Sequence, residues 1–235
     1  MSVGGKGPGD PAVATVMRIG IIGAGNIGGN LARRLVPLGH DVRVANSRGP
    51  ETLADLARES GATAVLAADA AQDADLVIIT IPEKDVPALA AGILDAAAPG
   101  AVIIDTGNYY PKQRDGRIEA IEQGTPESVW VAGILGRPVV KVFNGIYAAH
   151  LLEKGTPAGT PGRIALPVAG DDDAAKQLVM DLVDALGFDP VDAGPLAESW
   201  RQQPDQPVYG KDADAETTRR LLAEASPERP ADFTA

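Results

Sequence analysis

Three glycines in the first part of the chain have the spacing of a phosphate-binding turn. Gly23, Gly25 and Gly28 form the pattern G-x-G-x-x-G between an apolar run and a stretch with helical periodicity. In such a turn the first glycine permits a tight bend, the second lets a phosphate approach the backbone, and the third lets the helix pack on the strand. The start of the helix adds free N–H groups. The pattern predicts a site for a dinucleotide pyrophosphate; the competing interpretation is an ordinary glycine-rich turn.

The residues after the next predicted strand indicate which dinucleotide binds. An acid at this point binds the ribose 2′-hydroxyl of NAD and repels the 2′-phosphate of NADP. The chain has Asn46, Ser47 and Arg48 here, and the first acid after this predicted strand is Glu51. A guanidinium group pairs with a phosphate or stacks on adenine. We therefore predict NADP(H) as the cofactor. The alternative is that Arg48 is a solvated loop residue and that its neighbours only begin the next helix.

Polar segments end the three predicted strands that follow, namely TIP, DTGN and KVFN. Because the carboxyl ends of parallel strands meet at one edge of a sheet, we expect all three segments to face the cofactor. Thr80, Ile81 and Pro82 are predicted to pass the nicotinamide ribose, and Asn144 to hydrogen-bond the carboxamide or a substrate carbonyl. The alternative interpretation is that these residues only close loops.

The candidates for proton transfer are Lys141, His150, Tyr109 and Tyr110. They form neither a Tyr-x-x-x-Lys motif nor a Ser/His/Asp series, and a lone histidine in AAHLLEKG is typical of a helix surface. Reduction of a carbonyl requires a proton donor near its oxygen. Hydride transfer to a flavin-like ring leaves most of the chemistry to the ring. The sequence favours the second reaction, and Lys141, Tyr109 and His150 stay as catalytic candidates.

These segments lie in a chain that alternates between strands and helices. Apolar, β-branched runs predict strands at 18–22, 41–45, 76–80, 102–105, 139–143, 164–169 and 189–192. A weaker run at 64–66 is either a short extra strand or a connection. Helical patterns occupy 27–38, 50–61, 86–97 and 216–225, and further helices begin near 125 and 171. This alternation predicts the α/β class, with a doubly wound, mainly parallel sheet of the Rossmann NAD(P)-binding fold.

Composition limits the class of protein. The chain has 235 residues, of which 45% are hydrophobic and only 4% aromatic, so aliphatic side chains must build one core. We expect a flexible leader at 1–16, a dinucleotide-binding domain at 17–195 and a C-terminal arm or lid at 196–235. The net charge of −11 argues against nucleic acid or an anionic membrane as partner. The chain has no cysteine, and a helix cap explains DDD at 171–173, so no metal site is predicted. We expect a cytoplasmic protein.

Three segments together resemble a known family. They are MRIGIIGAGNIGGNLARRLVPLGHDVRVANSR, VKVFNGIYAAHLL and LPVAGDDDAAKQLVMDLVDALGFDPVDAGPL. They are similar to the NADP oxidoreductases that act with the deazaflavin coenzyme F420, and to the reductase domain of the STEAP membrane proteins. The resemblance implies a homodimer that transfers hydride between the nicotinamide and a deazaflavin ring. It also implies a set of cofactor contacts: Gly23, Gly25, Asn26, Ile27 and Gly28 for the pyrophosphate, Ser47 and Arg48 for the 2′-phosphate, and Thr80, Ile81 and Asn144 for the nicotinamide.

The chain departs from this family pattern in two places. After DAGPL it continues as AESWRQQPDQPVYGKD, and the stretch from NYYPKQRDG onwards is expanded. Both differences fall where the hydride acceptor would bind, so we predict a changed acceptor pocket. Its candidate residues are Asn108, Tyr109, Tyr110, Trp200, Arg201 and Tyr209. The alternative is that Trp200 and Tyr209 anchor the arm to the body or to a partner subunit.

Three functional hypotheses follow. The first is an NADP(H)-dependent oxidoreductase that moves hydride to or from F420 or a flavin-like acceptor. The second, of the same class, is a reductase of a small carbonyl or imine substrate, with Lys141 or a tyrosine as the proton donor. The third is a non-catalytic NADP(H)-binding sensor. In the first two cases the partner of the protein is a small-molecule redox acceptor.

Overall fold

A computed structural model describes residues 16–89 and 91–235. The predicted leader at 1–16 lies outside this part of the chain except for its last residue. Six parallel strands form the main sheet, in the order β3-β2-β1-β4-β5-β6. The strands are β1 (Arg18–Ile22), β2 (Asp41–Ala45), β3 (Thr63–Ala64), β4 (Leu76–Ile79), β5 (Val102–Asp105) and β6 (Val140–Lys141). The strand order reverses between β1 and β4, so the predicted doubly wound Rossmann-type fold is confirmed.

The α-helices cover both faces of this sheet. Aliphatic residues of β1, β2 and β4 point alternately into two core clusters, one packed against α1 and α7 and the other against α5. The helices are α1 (Asn26–Leu35), α2 (Ala54–Ser60), α3 (Ala67–Ala70), α4 (Glu119–Glu122), α5 (Glu127–Leu135), α6 (Ala148–Glu153), α7 (Asp173–Ala185) and α8 (Ala215–Ala223). Within the described residues, no helix has the length and apolar character needed to cross a bilayer.

The predicted helix at 86–97 is wrong. A 3-10 helix occupies Glu83–Ala88, and residues 91–96 form turns. Pro87 lies inside the 3-10 helix and cannot donate a backbone hydrogen bond. Gly92 takes a φ of +76°, which L side chains rarely adopt and which a continuing α-helix excludes. The apolar residues therefore have helical spacing, but the backbone cannot form a continuous α-helix there.

The last two predicted strands form a sheet of their own. β7 (Ala165–Val168) and β8 (Asp189–Asp192) pair in parallel with each other and not with the main sheet. An antiparallel bridge joins the sheets, because Lys141 N donates to Ala169 O at 2.8 Å and Ala169 N donates to Lys141 O at 3.1 Å. The preceding strand β6 is shorter than the predicted 139–143, since Phe143 has a φ of +63° and turns the chain away.

The C-terminal segment lies against β7 and β8. It contains a 3-10 helix at Leu196–Gln202, the helix α8 and a final 3-10 helix at Ala231–Phe233. Val208 and Leu222 pack with Ala165 and Val191 in a small apolar cluster. We refer to residues 196–212 as the arm. The boundary at 195/196 stays a prediction.

Candidate functional site

The glycine turn after β1 is packed too tightly for side chains at two of its three glycines. A Cβ atom on Gly23, where φ is +114°, would lie 2.1 Å from the carbonyl oxygen of Thr80. A Cβ atom on Gly28 would lie 2.0 Å from the carbonyl oxygen of Gly23. A Cβ atom on Gly25 would meet no described atom within 4 Å. The first and third glycines are thus required by packing, whereas Gly25 is open for a ligand to approach.

The start of α1 is free to receive an anion. Gly25 is the N-cap residue, so no side chain accepts from the first N–H groups, and the first turn contains no acid. Gly25 and Asn26 are exposed and Ile27 is half-buried. The first N–H groups of a helix have no partner within it, and the helix dipole makes this end partially positive. The geometry fits a phosphate group.

Two donors project from the loop after β2. Asn46 shapes this loop, because its Oδ1 accepts from Arg48 N at 2.9 Å and its Nδ2 donates to Thr52 Oγ1 at 2.9 Å. Ser47 and Arg48 are exposed, and Arg48 forms no ion pair with any described residue. The guanidinium is therefore available for an anionic ligand.

A buried ion pair fixes the loop that follows β5. Lys141 Nζ lies 3.1 Å from Asp105 Oδ2 and donates to the carbonyl oxygen of Gly107 at 2.6 Å. Asp105 also accepts from Ser128 Oγ at 2.7 Å and from Gly107 N at 2.8 Å. Because Lys141 is completely buried, its ammonium group holds this loop and has no open path to a ligand.

Two buried glutamates, Glu83 and Glu127, lie near this pair, and neither was among the residues predicted from the sequence. Burial raises the pKa of Glu83 well above its ordinary value, with Asp105 adding to the rise and Lys141 opposing it. Burial likewise raises the pKa of Glu127 from 4.5 to about 7, opposed by Lys141 and Arg229. Neither carboxylate oxygen of Glu83 has a hydrogen-bond partner in the described structure. The only available signal was the position of Glu83, directly after the TIP segment at the end of a strand.

Asn108, Asn144 and Gln202 form a polar chain at the carboxyl edge of the sheet. Asn144 Nδ2 donates to Gln202 O at 2.6 Å and to Asn108 Oδ1 at 3.2 Å. Asn144 Oδ1 accepts from Gln202 Nε2 at 3.0 Å. This chain fastens the arm to the loops after β5 and β6. Asn144 could bond a carboxamide through its side chain only by exchanging one of these bonds.

The four tyrosines of the chain all lie near this edge, although they differ in exposure. Tyr110 and Tyr209 are half-buried, and their hydroxyl groups are hydrogen-bonded to each other. Tyr147 is 58% exposed. Tyr109 is completely buried: its hydroxyl donates to Glu122 Oε1 at 2.8 Å and accepts from Ile118 N at 3.0 Å. Burial raises the pKa of Tyr109 to about 12. The structure thus brings Tyr110 and Tyr209 together and places Tyr109 behind them.

The remaining candidates have partners of their own. Arg201 stacks on Trp200, with its guanidinium 4.7 Å from the ring centre, and its Nε lies 2.6 Å from Glu198 Oε2. His150 lies on α6 with its Nδ1 2.9 Å from Asp212 Oδ1. Asp172 caps α7 by accepting from Ala175 N at 2.8 Å, as the helix-cap interpretation of DDD requires.

No three His, Cys, Asp or Glu side chains within residues 16–89 and 91–235 are grouped as metal ligands. The candidate residues belong to the glycine turn, to segments that follow the strands of the main sheet and, for Tyr209, to the arm. They are the glycine turn, Ser47 and Arg48, Thr80 to Pro82, and the pair of asparagines with Tyr110 and Tyr209.

The chain has relatives of matching fold. Residues 18–109 match the family model described as NADP oxidoreductase, coenzyme F420-dependent. The crystal structure of SMa0349 from Sinorhizobium meliloti is 32% identical, with a TM-score of 0.70, over 84% of this chain and 95% of that chain. A candidate F420-dependent NADP reductase from an Arthrobacter species is 25% identical, with a TM-score of 0.64, over 78% of this chain and 87% of that chain.

A curated relative, the metalloreductase STEAP3 of Rattus norvegicus, is 28% identical over 183 residues, which are 77% of this chain and 35% of that protein. The chain spans less than half the length of the curated relatives it matches. The resemblance predicted from the sequence is confirmed. The chain is a relative of SMa0349 over most of both lengths, and its residues 18–109 resemble the NADP oxidoreductases described as coenzyme F420-dependent.

Proposed function

We propose that this protein is an NADP(H)-dependent oxidoreductase that exchanges hydride with an acceptor bound at the carboxyl edge of the sheet. The observation that carries the proposal is the pair of exposed donors, Ser47 and Arg48, beside an open helix N-terminus at Gly25 and Asn26. A 2′-phosphate and a pyrophosphate need donors at these two places, and no acid lies between the end of β2 and Glu51 to repel the phosphate.

Each part of the cofactor has residues that would hold it. The pyrophosphate would lie on the N–H groups of the glycine turn, and the 2′-phosphate on Ser47 and Arg48. Thr80, Ile81 and Pro82 are half-buried at the end of β4, on the half of the sheet where the nicotinamide belongs. Asn144 would contribute indirectly, by holding Asn108 and the arm over that half. The nicotinamide supplies the hydride, and the protein positions it and excludes water.

The family favours coenzyme F420, or a flavin-like ring, as the acceptor, and a homodimer as the assembly. A specific feature favours a second acceptor class, a small molecule with a carbonyl or imine group. Reduction of such a group needs a proton donor, and the mutually hydrogen-bonded hydroxyl groups of Tyr110 and Tyr209 are candidates for it. Steady oxidation of NADPH by either class of acceptor would exclude the non-catalytic sensor hypothesis.

The cofactor assignment is tested by Arg48→Ala. We expect the Kd for NADPH to rise by roughly 10- to 100-fold, since a charge-assisted phosphate contact is lost, while the Kd for NADH stays unchanged. Arg58→Ala, at an exposed arginine of α2 that pairs with Asp55, is the matched control. Equal affinity of the parent for NADH and NADPH, or unchanged NADPH binding in Arg48→Ala, would contradict the assignment.

A further inference from the structure

We propose that Tyr110 is the catalytic acid of this site and that the acceptor is therefore a small molecule with a carbonyl or imine group. This inference rests on the proposed function, because it requires hydride from NADPH. It goes beyond the family, for which the acceptor is a deazaflavin. Four hydrogen bonds in sequence link Gln202 to Tyr110 through Asn144, Asn108 and Tyr209.

The first step fixes the two asparagine side chains. The carbonyl oxygen of Gln202 can only accept, so the atom of Asn144 that lies 2.6 Å from it is the amide nitrogen. This nitrogen also donates to Asn108 at 3.2 Å, so the receiving atom of Asn108 is its oxygen. The other atom of Asn108 is then its nitrogen, which agrees with its 2.9 Å contact to the carbonyl oxygen of Asn144.

The second step orients the tyrosine pair. Asn108 Nδ2 donates to the hydroxyl oxygen of Tyr209 at 3.3 Å. The other partner of Tyr209 is the hydroxyl of Tyr110, and either oxygen of this pair can be the donor. We take Tyr209 as the donor, because its hydrogen then has an acceptor while its oxygen accepts from Asn108. Burial and this bond raise the pKa of Tyr209, so its hydroxyl stays protonated and remains a donor. The hydroxyl hydrogen of Tyr110 then has no acceptor among the described residues, and it is free to bond a ligand.

Tyr110 has two polar neighbours, the Tyr209 hydroxyl and the Arg114 guanidinium, beside the negative charge that it would acquire. When Tyr110 gives up its proton, the Tyr209 hydroxyl already donates to the resulting phenolate oxygen. The guanidinium of Arg114 lies 5.2 Å from the ring centre of Tyr110, where a positive charge stabilises an electron-rich ring. Arg114 is held in place by Asp115, with its Nε 2.9 Å from Asp115 Oδ1. The Tyr209 hydroxyl and the Arg114 guanidinium thus both lie beside the tyrosine that would give up the proton.

The fourth step places Tyr110 on the nicotinamide half of the site. Tyr110 belongs to the loop after β5, which Lys141 fixes through Gly107. Tyr209 is tied to the loop after β6, because Gly210 N donates to Gly145 O at 3.0 Å. Since the strand order reverses between β1 and β4, the nicotinamide belongs beside β4, β5 and β6. The free hydroxyl hydrogen therefore lies on the side from which an acceptor approaches.

The reaction balances without a further reagent. The acceptor carbon gains the hydride with its electron pair, and the nicotinamide is oxidised. The π bond of the C=O or C=N group breaks, and its electron pair forms a new bond from oxygen or nitrogen to the proton of Tyr110. Tyr110 then recovers a proton from water. A deazaflavin spreads the incoming charge over its ring and can take its proton from solvent, so it would not depend on this phenol.

The test compares Tyr110→Phe with Tyr147→Phe, which removes the exposed phenol of the same edge. The probes are cyclohexanone for the carbonyl, 1-pyrroline for the imine and F420 for the deazaflavin. We expect the parent to oxidise NADPH with at least one of the first two probes. Tyr110→Phe should lower that kcat by roughly 100-fold or more, the usual contribution of a general acid, with the NADPH Kd unchanged. Tyr147→Phe should match the parent.

A second readout does not depend on turnover. The chain has four tyrosines, so protein labelled with carbon-13 at tyrosine Cζ gives four NMR signals. Tyr→Phe variants assign each signal to its residue. We expect the responsive probe, added with NADP⁺, to shift the Tyr110 signal and to leave that of the buried Tyr109 in place. This measurement also shows whether Tyr110→Phe is folded, because the signals of Tyr109 and Tyr147 should keep their positions, whereas that of Tyr209 should move with the loss of its partner.

The outcomes separate the inference from the proposed function. Turnover of F420 alone, or a carbonyl or imine rate that Tyr110→Phe retains, overturns the inference and leaves an NADP(H)-dependent oxidoreductase. Failure of NADPH to bind overturns both. Loss of the carbonyl or imine rate in Tyr110→Phe, together with a Tyr110 signal that the probe shifts, supports both.

Discussion

Glu127 shows how a single buried group can make the stability of this protein depend on pH. Its side chain is fully buried, and burial raises its pKa from 4.5 to about 7. Below pH 4.5 the carboxyl is protonated in both the folded and the unfolded chain, so it contributes no pH dependence. Between pH 4.5 and 7 the unfolded chain releases the proton while the folded chain keeps it. The free energy of unfolding must therefore fall as the pH rises through this range.

We predict that Glu127→Gln becomes more stable relative to the parent as the pH rises from 4.5 to 8. The full difference should be on the order of 3 kcal/mol, because one pKa unit corresponds to about 1.4 kcal/mol and the amide never ionises. Denaturant unfolding at several pH values measures it. The control is Glu153→Gln, at an exposed position of α6 where no burial penalty applies. A Glu127→Gln advantage that is equal at pH 4.5 and pH 8 would show that the buried carboxyl does not control this dependence.

Candidate site residues that belong to a motif could be named from the sequence. The donors of NSR stand where an acid is expected in such a fold, and Gly23 and Gly28 have the spacing of the glycine turn, whose tight packing the structure shows. Glu83 and Glu127 carry no pattern, since a glutamate in a short polar segment is normally solvated. Their burial depends on how the loops after β4 and β5 meet α5, which local sequence does not encode.

The arm is held by several polar contacts, and three of them involve Gln202. Its Nε2 donates to Asn144 Oδ1 at 3.0 Å and to the carbonyl oxygen of Pro167 at 3.3 Å. The side chain is almost completely buried, so both acceptors lose their donor if it is removed. The next residue, Gln203, is also buried, but its Nε2 has no hydrogen-bond partner in the described structure. Substitution of Gln203 is therefore a matched control for substitution of Gln202.

We predict that Gln202→Ala loosens the arm and leaves the main sheet intact. Two buried acceptors without a donor cost about 1–3 kcal/mol each, which should increase the opening of the arm roughly 10-fold or more. Amide hydrogen exchange of residues 196–212, compared with that of β1 and β4, measures the effect. Gln203→Ala leaves a cavity of the same size and removes no donated bond, so it should raise exchange in the arm far less. Equal exchange in the two variants would mean that the bonds of Gln202 do not fasten the arm.

At the scale of the elements, the sequence predicted strands more accurately than helices. β1, β2, β5 and β8 have the predicted bounds. Short aliphatic runs buried on both faces, such as β5, have few other conformations open to them, whereas in β8 only Val191 is buried. The predicted helix at 86–97 had suitable apolar spacing, but Pro87 and Gly92 prevent a continuous helix there. The arm could be predicted only as an irregular segment. Its contacts with Asn108 and Asn144 join positions far apart in the chain.

The whole molecule combines two sheets through one bridge and one shared core. The core that covers one face of the main sheet also includes Leu166, Val168 and Phe188 from around β7 and β8. Arg163 fastens the smaller sheet to its surroundings. Its Nη1 lies 2.6 Å from both Asp184 Oδ1 and Asp189 Oδ1, and its Nε donates to the carbonyl oxygen of Thr156 at 3.0 Å. One guanidinium thus joins the end of α7, the start of β8 and the loop after α6.

We predict that Arg163→Met destabilises the whole molecule as one unit. The loss should be about 1–3 kcal/mol, because Asp184 and Asp189 are partly exposed and water can replace the guanidinium. For a chain of this size the Tm should fall by roughly 2–10 °C.

The fluorescence of two tryptophans measures this effect, because Trp130 lies on α5 and Trp200 in the arm. Trp200→Phe and Trp130→Phe backgrounds isolate each signal. Since the shared core links both sheets, both signals and the far-ultraviolet circular dichroism should shift together. Arg219→Met, at an exposed arginine of α8, should shift none of them. A fall confined to the Trp200 signal would instead mean that the smaller sheet and the arm unfold separately from the dinucleotide-binding sheet.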